Sequence, residues 1–521
     1  MIRAVVVLIA ALACAASAQA APRWLSPVRL SPADRALSPE LALNAALGAA
    51  TVVWDHEEGA DCPTQPASLS CIHIVEAVTR STARSAWSAP IEVARPGIGA
   101  LPRAAIDRAG DIAITWIHDI GEDRVQQATI RPAGASTWPN ANDLSSSPVR
   151  IRNHGIALDL QGNAVAVWAQ RDGANFYVVG DLRPAAGGAW LAPVALSSLA
   201  ADSTSGPALA VVPSGDALAA WVDGGALRVA HGNAATGIWD ATLTPAAGGV
   251  GTDTDVDVAL NPVGDAIAAW SWRRSATGPV VVQASFRPAG GGWGAVVDLG
   301  ASGSVQSRVQ VEINFAGSAA VVWRDGAALK ARGRARSTGA WSNAATVATN
   351  VAAGGAALAM NGVGDAVAAW PNGTTGAIRA ALRPAGAAWQ PPVRIGDPGS
   401  SEPRVALDGS SGAVAVWDRT SSQRVFTESA DLMPNGPVLG GVQVPAHTRA
   451  DEATTFGVSP RSWGGLALVG SPLWRFGDGK SASGTHVSHT YRSAGTFTVS
   501  VSQADSSAVR STVTRTVAVS H

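Results

Sequence analysis

Over most of its length the chain alternates short apolar runs with turns rich in Gly, Asp, Asn and Ser. That is the spacing of strands rather than helices. In "NAVAVW", residues 163–168, the face carrying Ala164, Ala166 and Trp168 is apolar, and so is the face carrying Val165 and Val167. A strand apolar on both faces is covered on both faces, which a single sheet open to solvent on one side does not provide. The run recurs: "IALDLQGNAVAVWAQ" begins at Ile156, "VALNPVGDAIAAWSW" at Val258, "LAMNGVGDAVAAWPN" at Leu358 and "VALDGSSGAVAVWDR" at Val405.

Eight copies of this hairpin end in Trp54, Trp116, Trp168, Trp221, Trp270, Trp323, Trp370 and Trp417, between 47 and 62 residues apart. This is the period of propeller blades and solenoid repeats. Seven copies place Gly six positions before the Trp (Gly48, Gly110, Gly162, Gly215, Gly264, Gly317, Gly364), and the last shifts it to Gly412. Asn44, Asp107, Asp159, Asn261, Asn314, Asn361 and Asp408 open the turns, with Val212 the exception. An Asx side chain bonds the backbone of the turn it starts, and Gly accepts the positive φ that closes it. These residues therefore read as turn chemistry.

A second Trp follows in each repeat after a Gly-rich turn, as in "RPAGASTW" ending at Trp138, "RPAAGGAW" at Trp190, "RPAGGGW" at Trp293 and "RPAGAAW" at Trp389, with looser versions at Trp87, Trp239 and Trp341. Each unit thus carries four strands, the content of one propeller blade. The segment around Trp24 matches the fourth strand of a repeat, and the last repeat has only its first three before the pattern stops. The N-terminus supplies what the C-terminal repeat lacks. A ring closed by a shared blade explains this, and an open row of repeats does not. The expected fold is all-β: a β-propeller of about eight four-stranded blades, or seven if one repeat is distorted. The two Trp sets read as packing between blades rather than as sugar platforms.

Apolar residues make up 47% of the 521 and charged residues 15%, with net charge −1. A packed core is feasible, and no electrostatic footprint for nucleic acid is present. The start, "MIRAVVVLIAALACAASAQA", reads as a signal peptide cut after Ala20, with lipidation at Cys14 as the rival. No later apolar run is long enough to span a bilayer. Export to the outside or the cell surface suits Cys62 and Cys71, an even pair that forms a disulfide in an oxidising compartment; two thiols lack the other ligands zinc normally takes. A monomer is expected.

From about residue 436 the repeat gives way to a different pattern. The motif Trp474-x-Phe476-Gly477-Asp478-Gly479, then His489-Thr-Tyr491 and Ala-Gly495-Thr-Phe-Thr-Val, resembles the PKD family of immunoglobulin-like β-sandwiches. The resemblance covers some 80 residues and implies a spacer or adhesion module for proteins or polysaccharides, without catalysis. By the residues alone, Trp474 and Phe476 share one strand face and Asp478 belongs to a tight turn. The expected domains are 1–20 signal peptide, 21–435 propeller and 436–521 PKD-like sandwich.

No nucleophile elbow, metalloprotease helix, phosphate loop or EF-hand loop occurs. Sialidase-type Asp boxes are missing from the turn before the second Trp, and Tyr177 is the one tyrosine available to the propeller as a nucleophile. Asp253, Asp255 and Asp257 fall on one side of a strand. They can hold a hard cation such as calcium, or simply be solvated. The leading expectation is a secreted, non-catalytic protein that binds an extracellular protein or polysaccharide at the mouth of a central channel. A glycan-active hydrolase or lyase and a purely structural envelope component are the alternatives.

Overall fold

The computed structural model describes residues 23–521 apart from 32–34, 59–70, 84, 98–99, 120–123, 146–149, 173–174, 199–205, 224–225, 241–242, 247–254, 274–277, 303–307, 410–411, 423, 434–436, 462–467 and 506–509. Residues 1–20, read above as a signal peptide, and Cys62 and Asp253 lie outside the described residues, Cys14 among them. Among the described residues every regular element is a strand, and no helix is long and apolar enough to cross a membrane. The chain divides into two compact units, Trp24–Leu432 and a second comprising Met433–His521.

In the first unit the repeats form eight sheets of four or five strands, seven of them antiparallel meanders running consecutively from Ala36. Sheet I holds Ala36–Leu43, Ala50–Glu58, Ile72–Arg80 and Ile91–Gly97. Sheets II to VII begin at Arg103, Arg150, Ala208, Val256, Gln310 and Ala357. Sheet VIII holds Ser400–Leu407, Ala413–Ser421 and Arg424–Met433. Its outer positions are taken by the N-terminal strands Arg23–Trp24 and Val28–Arg29, both paired with Arg424–Met433. Leu25 N–H donates to Asp431 O and Leu30 N–H to Thr427 O, each at 2.8 Å. The segment missing from the last repeat is thus provided from the start of the chain.

The second strand of each sheet ends in the first Trp. All eight of these side chains are at most 3% exposed. Each sits in a separate apolar cluster joining its own sheet to the preceding one: Trp116 between sheets I and II, Trp168 between II and III, and so on to Trp417 between VII and VIII. Trp54 occupies the equivalent cluster between VIII and I, with Val52, Val78, Val414, Val416 and Leu30. Two-sided burial of "AVAVW" follows directly, since every residue of Ala164–Ala169 is buried. The first strand of each sheet likewise lies against the first strand of the next, and that of sheet VIII against that of sheet I.

The turns are built as their residues dictate. Asn361 Oδ1 accepts from the N–H groups of Val363, Gly364 and Asp365, and Asp107 Oδ1 from those of Gly110 and Asp111. The seven regularly placed glycines have φ between 68° and 98°. Gly412 departs from this. It lacks a positive φ, and a Cβ there would meet Asp408 Oδ2 at 2.6 Å, so its role is to admit the Asx carboxylate. Val212 forms its turn through backbone bonds alone, Gly215 N–H donating to Val212 O. The residue after the turn Gly secures the Arg-Pro-Ala turn beyond: Asp111 accepts from Ala133 N–H, Asp265 from Ala289 and Asp365 from Ala385. The second Trp of the repeats is half-buried at the far end of the sheet, beneath an arginine in at least five copies, such as Arg131 at 4.7 Å from the Trp138 ring.

The C-terminal unit is two sheets. One has Val438–Gln443, Ala453–Arg461 and His486–Thr490; the other has His447–Arg449, Arg510–Ser520, Gly495–Asp505, Leu468–Arg475 and Ser481–Ser483. They share one core of Phe456, Val458, Trp474, Phe476, Tyr491, Val499, Val501 and Val517.

Candidate binding site

Counting back from the residue that opens each turn, three inward registers emerge on the first strands. Six positions before it stand Ser38, Leu101, Asn153, Gly206, Asp255, Arg308, Gly355 and Glu402. Four before stand Glu40, Arg103, Gly155, Ala208, Asp257, Gln310, Ala357 and Arg404. Two before, seven sheets have Ala and sheet VI has Glu312. Residues of these two registers from sheets V, VI, VII and VIII, together with Glu40 of sheet I and Arg103 of sheet II, line one cavity of about 210 Å³.

The sixth position back is backbone of a special kind. Ser38, Leu101, Asn153, Arg308 and Glu402 all have φ between 43° and 55°, and Gly355 has 81°. A left-handed conformation costs a residue with a Cβ about 1–3 kcal/mol, so the surrounding sheets must hold it there. The conformation belongs to the architecture, and the identity of the side chain is what differs from sheet to sheet.

On one wall Arg404 Nε donates to Glu40 Oε2 at 2.9 Å, and Arg103 Nη1 approaches the same oxygen at 3.5 Å. Glu40 holds the Arg404 guanidinium above its ordinary range. Two guanidiniums share one carboxylate, and Glu402 acts on Arg404 from the same strand. On the other side Asp255 Oδ2 accepts from Val309 N–H and Asp257 Oδ2 from Val311 N–H, each at 2.9 Å, linking sheet V to sheet VI. Burial pushes Asp257 up to about 7 against the backbone donors of Val311 and Val258. Burial likewise raises Asp255 to about 6, with Arg308 opposing it, and Glu312 to about 8, with Asp257 adding to it. Because all three are only half-buried, water screens part of these shifts.

Asp255 and Asp257 therefore do lie near one another, but each already accepts backbone hydrogen bonds. Among the described residues no group of three or more His, Cys, Asp or Glu side chains is arranged to hold a metal ion. Tyr177 is a core residue, 9% exposed, packed with Trp168 and bonded by Gln170 Nε2 at 2.6 Å. His154, beside the cavity, has Nε2 at 2.8 Å from Leu101 O and Nδ1 at 3.3 Å from Gln126 Nε2. Burial, with Arg103 nearby, pushes it down to about 3, so it is neutral with both nitrogens engaged.

A pH dependence follows from Asp257. Its folded pKa lies above the unfolded value of about 4. Between pH 4 and about 7 the folded state then binds the extra proton, and stability from this group falls as pH rises through that window. Asp257→Asn removes the titration. Its Tm relative to the parent should rise by about 1 °C between pH 5 and pH 8, screening having reduced the effect to roughly 1 kcal/mol in a unit of this size. Thermal scans showing parallel curves for the two proteins across that range would exclude the assigned shift.

In the C-terminal unit Trp474 is fully buried and its Nε1–H donates to Gly484 O at 3.0 Å. Tyr491 donates its hydroxyl to Phe476 O at 3.0 Å, and burial pushes that hydroxyl up to about 12. Asp478 accepts from Lys480 N–H and from His489 Nε2 at 2.8 Å, while His489 stacks on Phe476 at 4.0 Å. Gly477 has φ 85°, and a Cβ there would meet Thr498 O at 2.7 Å. Residues 438–520 match the PKD domain family. Through these contacts Asp478, His489 and Tyr491 of the PKD domain hold the Gly477–Gly479 turn to the strand ending in Thr490.

Solved structures similar to the whole chain include a fungal alcohol oxidase of the AA5 family in complex with copper, 10% identical, covering 96% of this chain and 100% of that one with a TM-score of 0.43. An ulvan lyase of polysaccharide lyase family PL25 is 11% identical over 78% of this chain and 95% of its own, at 0.42. The polysaccharide lyase Uly1 is 9% identical over 77% and 90%, at 0.39. At these scores none of them assigns a chemistry to this chain. No curated protein matches it.

Reading the sequence by motif singled out Asp255 and Asp257 and passed over Glu40, Arg103, Arg308, Glu402 and Arg404. The signal was available. With the repeats superposed on their turn residues, charge accumulates at the sixth and fourth positions back, and the single Glu312 interrupts a register of seven alanines.

Proposed function

We propose that the eight sheets are the blades of a closed propeller completed by the N-terminal strands, and that the protein is exported and binds an extracellular polysaccharide or protein without transforming it. The PKD domain acts as an adhesion or spacer module. The observation that carries this reading is the charged cavity at which the first strands of six sheets converge. Ligand sites in repeat architectures fall where the repeats face one another, on side chains that the scaffold leaves free to vary.

Gly354 lies at this cavity, exposed, and a Cβ there meets nothing within 4 Å. Gly354→Trp should therefore fill the cavity without disturbing the fold. On an array of glycans and extracellular proteins, the parent should be retained by a ligand and the variant should lose at least tenfold in affinity with an unchanged Tm. Retention of full binding by Gly354→Trp would place the interaction elsewhere.

A second reading is favoured by Asp257 and Glu312, whose carboxyl groups are raised toward neutrality as a general acid requires. In that case the protein is a glycan-active hydrolase or lyase, and turnover of a polysaccharide panel replaces simple retention. Export and the Cys62–Cys71 disulfide are read together by one measurement. The intact mass of the secreted protein should correspond to a chain starting at Ala21 and should rise by two hydrogens on reduction.

A further inference from the structure

At the cavity rim three consecutive sheets place Arg308, Gly355 and Glu402 at the same register, six before the turn. All three line the cavity and all three have positive φ. The stem of Arg308 crosses close over Gly355, where a Cβ would lie 2.6 Å from Arg308 Cβ and Cγ, so glycine is what gives the arginine its position. Arg308 and Glu402 are both exposed. Among the described residues they are not within ion-pair distance of each other and neither makes a hydrogen bond or ion pair, in contrast to Arg404 and Glu40, although Arg308 acts at longer range on Asp255 and Glu402 on Arg404. Between the two, Gly355 projects no side chain, and the arginine stem occupies the space its Cβ would fill.

The tier below repeats the polarity. Arg103 and Arg404 share one carboxylate on one side, and Asp257 stands on another. A cavity with separated charges of both signs attracts neither simple anions nor simple cations strongly, because each group that gains an attraction also meets a repulsion. It is complementary to a ligand that carries both signs at a matching separation. At about 210 Å³ the space is below the range of drug-sized pockets, roughly 300–1,000 Å³. One small molecule or one end group fills it.

We propose that this rim binds a small zwitterion, an amino-acid-like group whose carboxylate is held by the Arg308 guanidinium and whose ammonium is held by the Glu402 carboxylate, across Gly355. This rests on the cavity being the binding site and names the ligand chemistry it selects. Guanidinium and carboxylate pairs of this type are charge-assisted and directional, so the separation between the two ligand charges becomes the selected property.

The test is calorimetric titration of the mature full-length protein with glycine, β-alanine, γ-aminobutyrate and 5-aminovalerate, alongside butyrate, butylamine and glucose. One member of the amino-acid series should bind at least tenfold more tightly than butyrate, butylamine and glucose. Arg308→Gln and Glu402→Gln should each reduce that affinity at least tenfold while leaving Tm unchanged, and their double variant should lose little more than either. Equal binding of butyrate or butylamine, indifference of the affinity to both substitutions, or no binding by any amino acid of the series would each overturn the proposal. The two readings separate cleanly. If a glycan or protein ligand is lost in Gly354→Trp but unaffected by Arg308→Gln and Glu402→Gln, the cavity remains the site and the zwitterion is wrong.

Discussion

A chain that begins at Ser31 should melt about 10 °C or more below the full mature protein, and should self-associate. Removing residues up to Leu30 takes away both N-terminal strands of sheet VIII, including the Val28–Ser429 and Arg29–Glu428 pairs. It also removes Leu30, 7% exposed, from the cluster holding Trp54 between sheets VIII and I, and Arg29 from the face of Phe426 at 4.5 Å. A buried leucine contributes about 2–3 kcal/mol and each lost backbone bond about 1 kcal/mol. The sum is large beside the 5–15 kcal/mol by which folded domains are ordinarily stable. The edge of Arg424–Met433 then stands open, a template for pairing with another chain. A synthetic peptide of residues 21–30 should restore both the Tm and the monomeric elution volume. In an open row of repeats the same deletion trims an end unit and leaves the main transition in place. Calorimetry showing that outcome would sink the ring, and with it the cavity as the meeting point of the blades. Among the ties between sheets VIII and I that remain are the Arg80–Asp431 ion pair at 2.7 Å, Ser38 N–H on Asp418 at 2.9 Å, Gly409 N–H on Ala45 O at 2.7 Å and the Arg404–Glu40 pair.

Trp474→Ala should lower the melting transition of the PKD domain by more than about 10 °C while the repeat unit keeps its own transition. The indole is fully buried against Phe456 at 5.8 Å and gives its one hydrogen bond to Gly484 O. Truncating a buried tryptophan costs about 3–5 kcal/mol, and in a domain of this size each kcal/mol is worth about 4–8 °C. The predicted fall is therefore more than about 10 °C. Differential scanning calorimetry should resolve two transitions in the parent, of which one moves. A single transition that shifts as a whole would show that the two units unfold together and that the division at Leu432 is not one of stability.

Much of this was legible in the sequence because the repeat repeats its own errors little. "AVAVW" announces two-sided burial, and the matching of the Trp24 segment to a fourth strand anticipates its pairing beside Trp417. The PKD motif was readable for a related reason. Trp474, Gly477 and Tyr491 each meet a demand that no other residue type satisfies: a large indole with a donor, a left-handed turn against Thr498 O, and a hydroxyl reaching Phe476 O. The cavity was less legible. Its residues come from six sheets, Glu40 and Arg404 standing 364 positions apart, and only Asp255 and Asp257 make a local pattern.

By itself, then, the chain determined its strands, its turns and its interfaces, since these rest on period-two burial, Asx bonding and glycine φ, all properties of neighbours in sequence. Only the tertiary structure decided which charges are spent on one another and which are left over. Arg404 is matched to Glu40 from 364 residues away, while among the described residues Arg308 and Glu402 line the same cavity without forming an ion pair across Gly355. Pairing depends on angstroms of separation between side chains on different sheets, and a one-dimensional pattern carries no such distances.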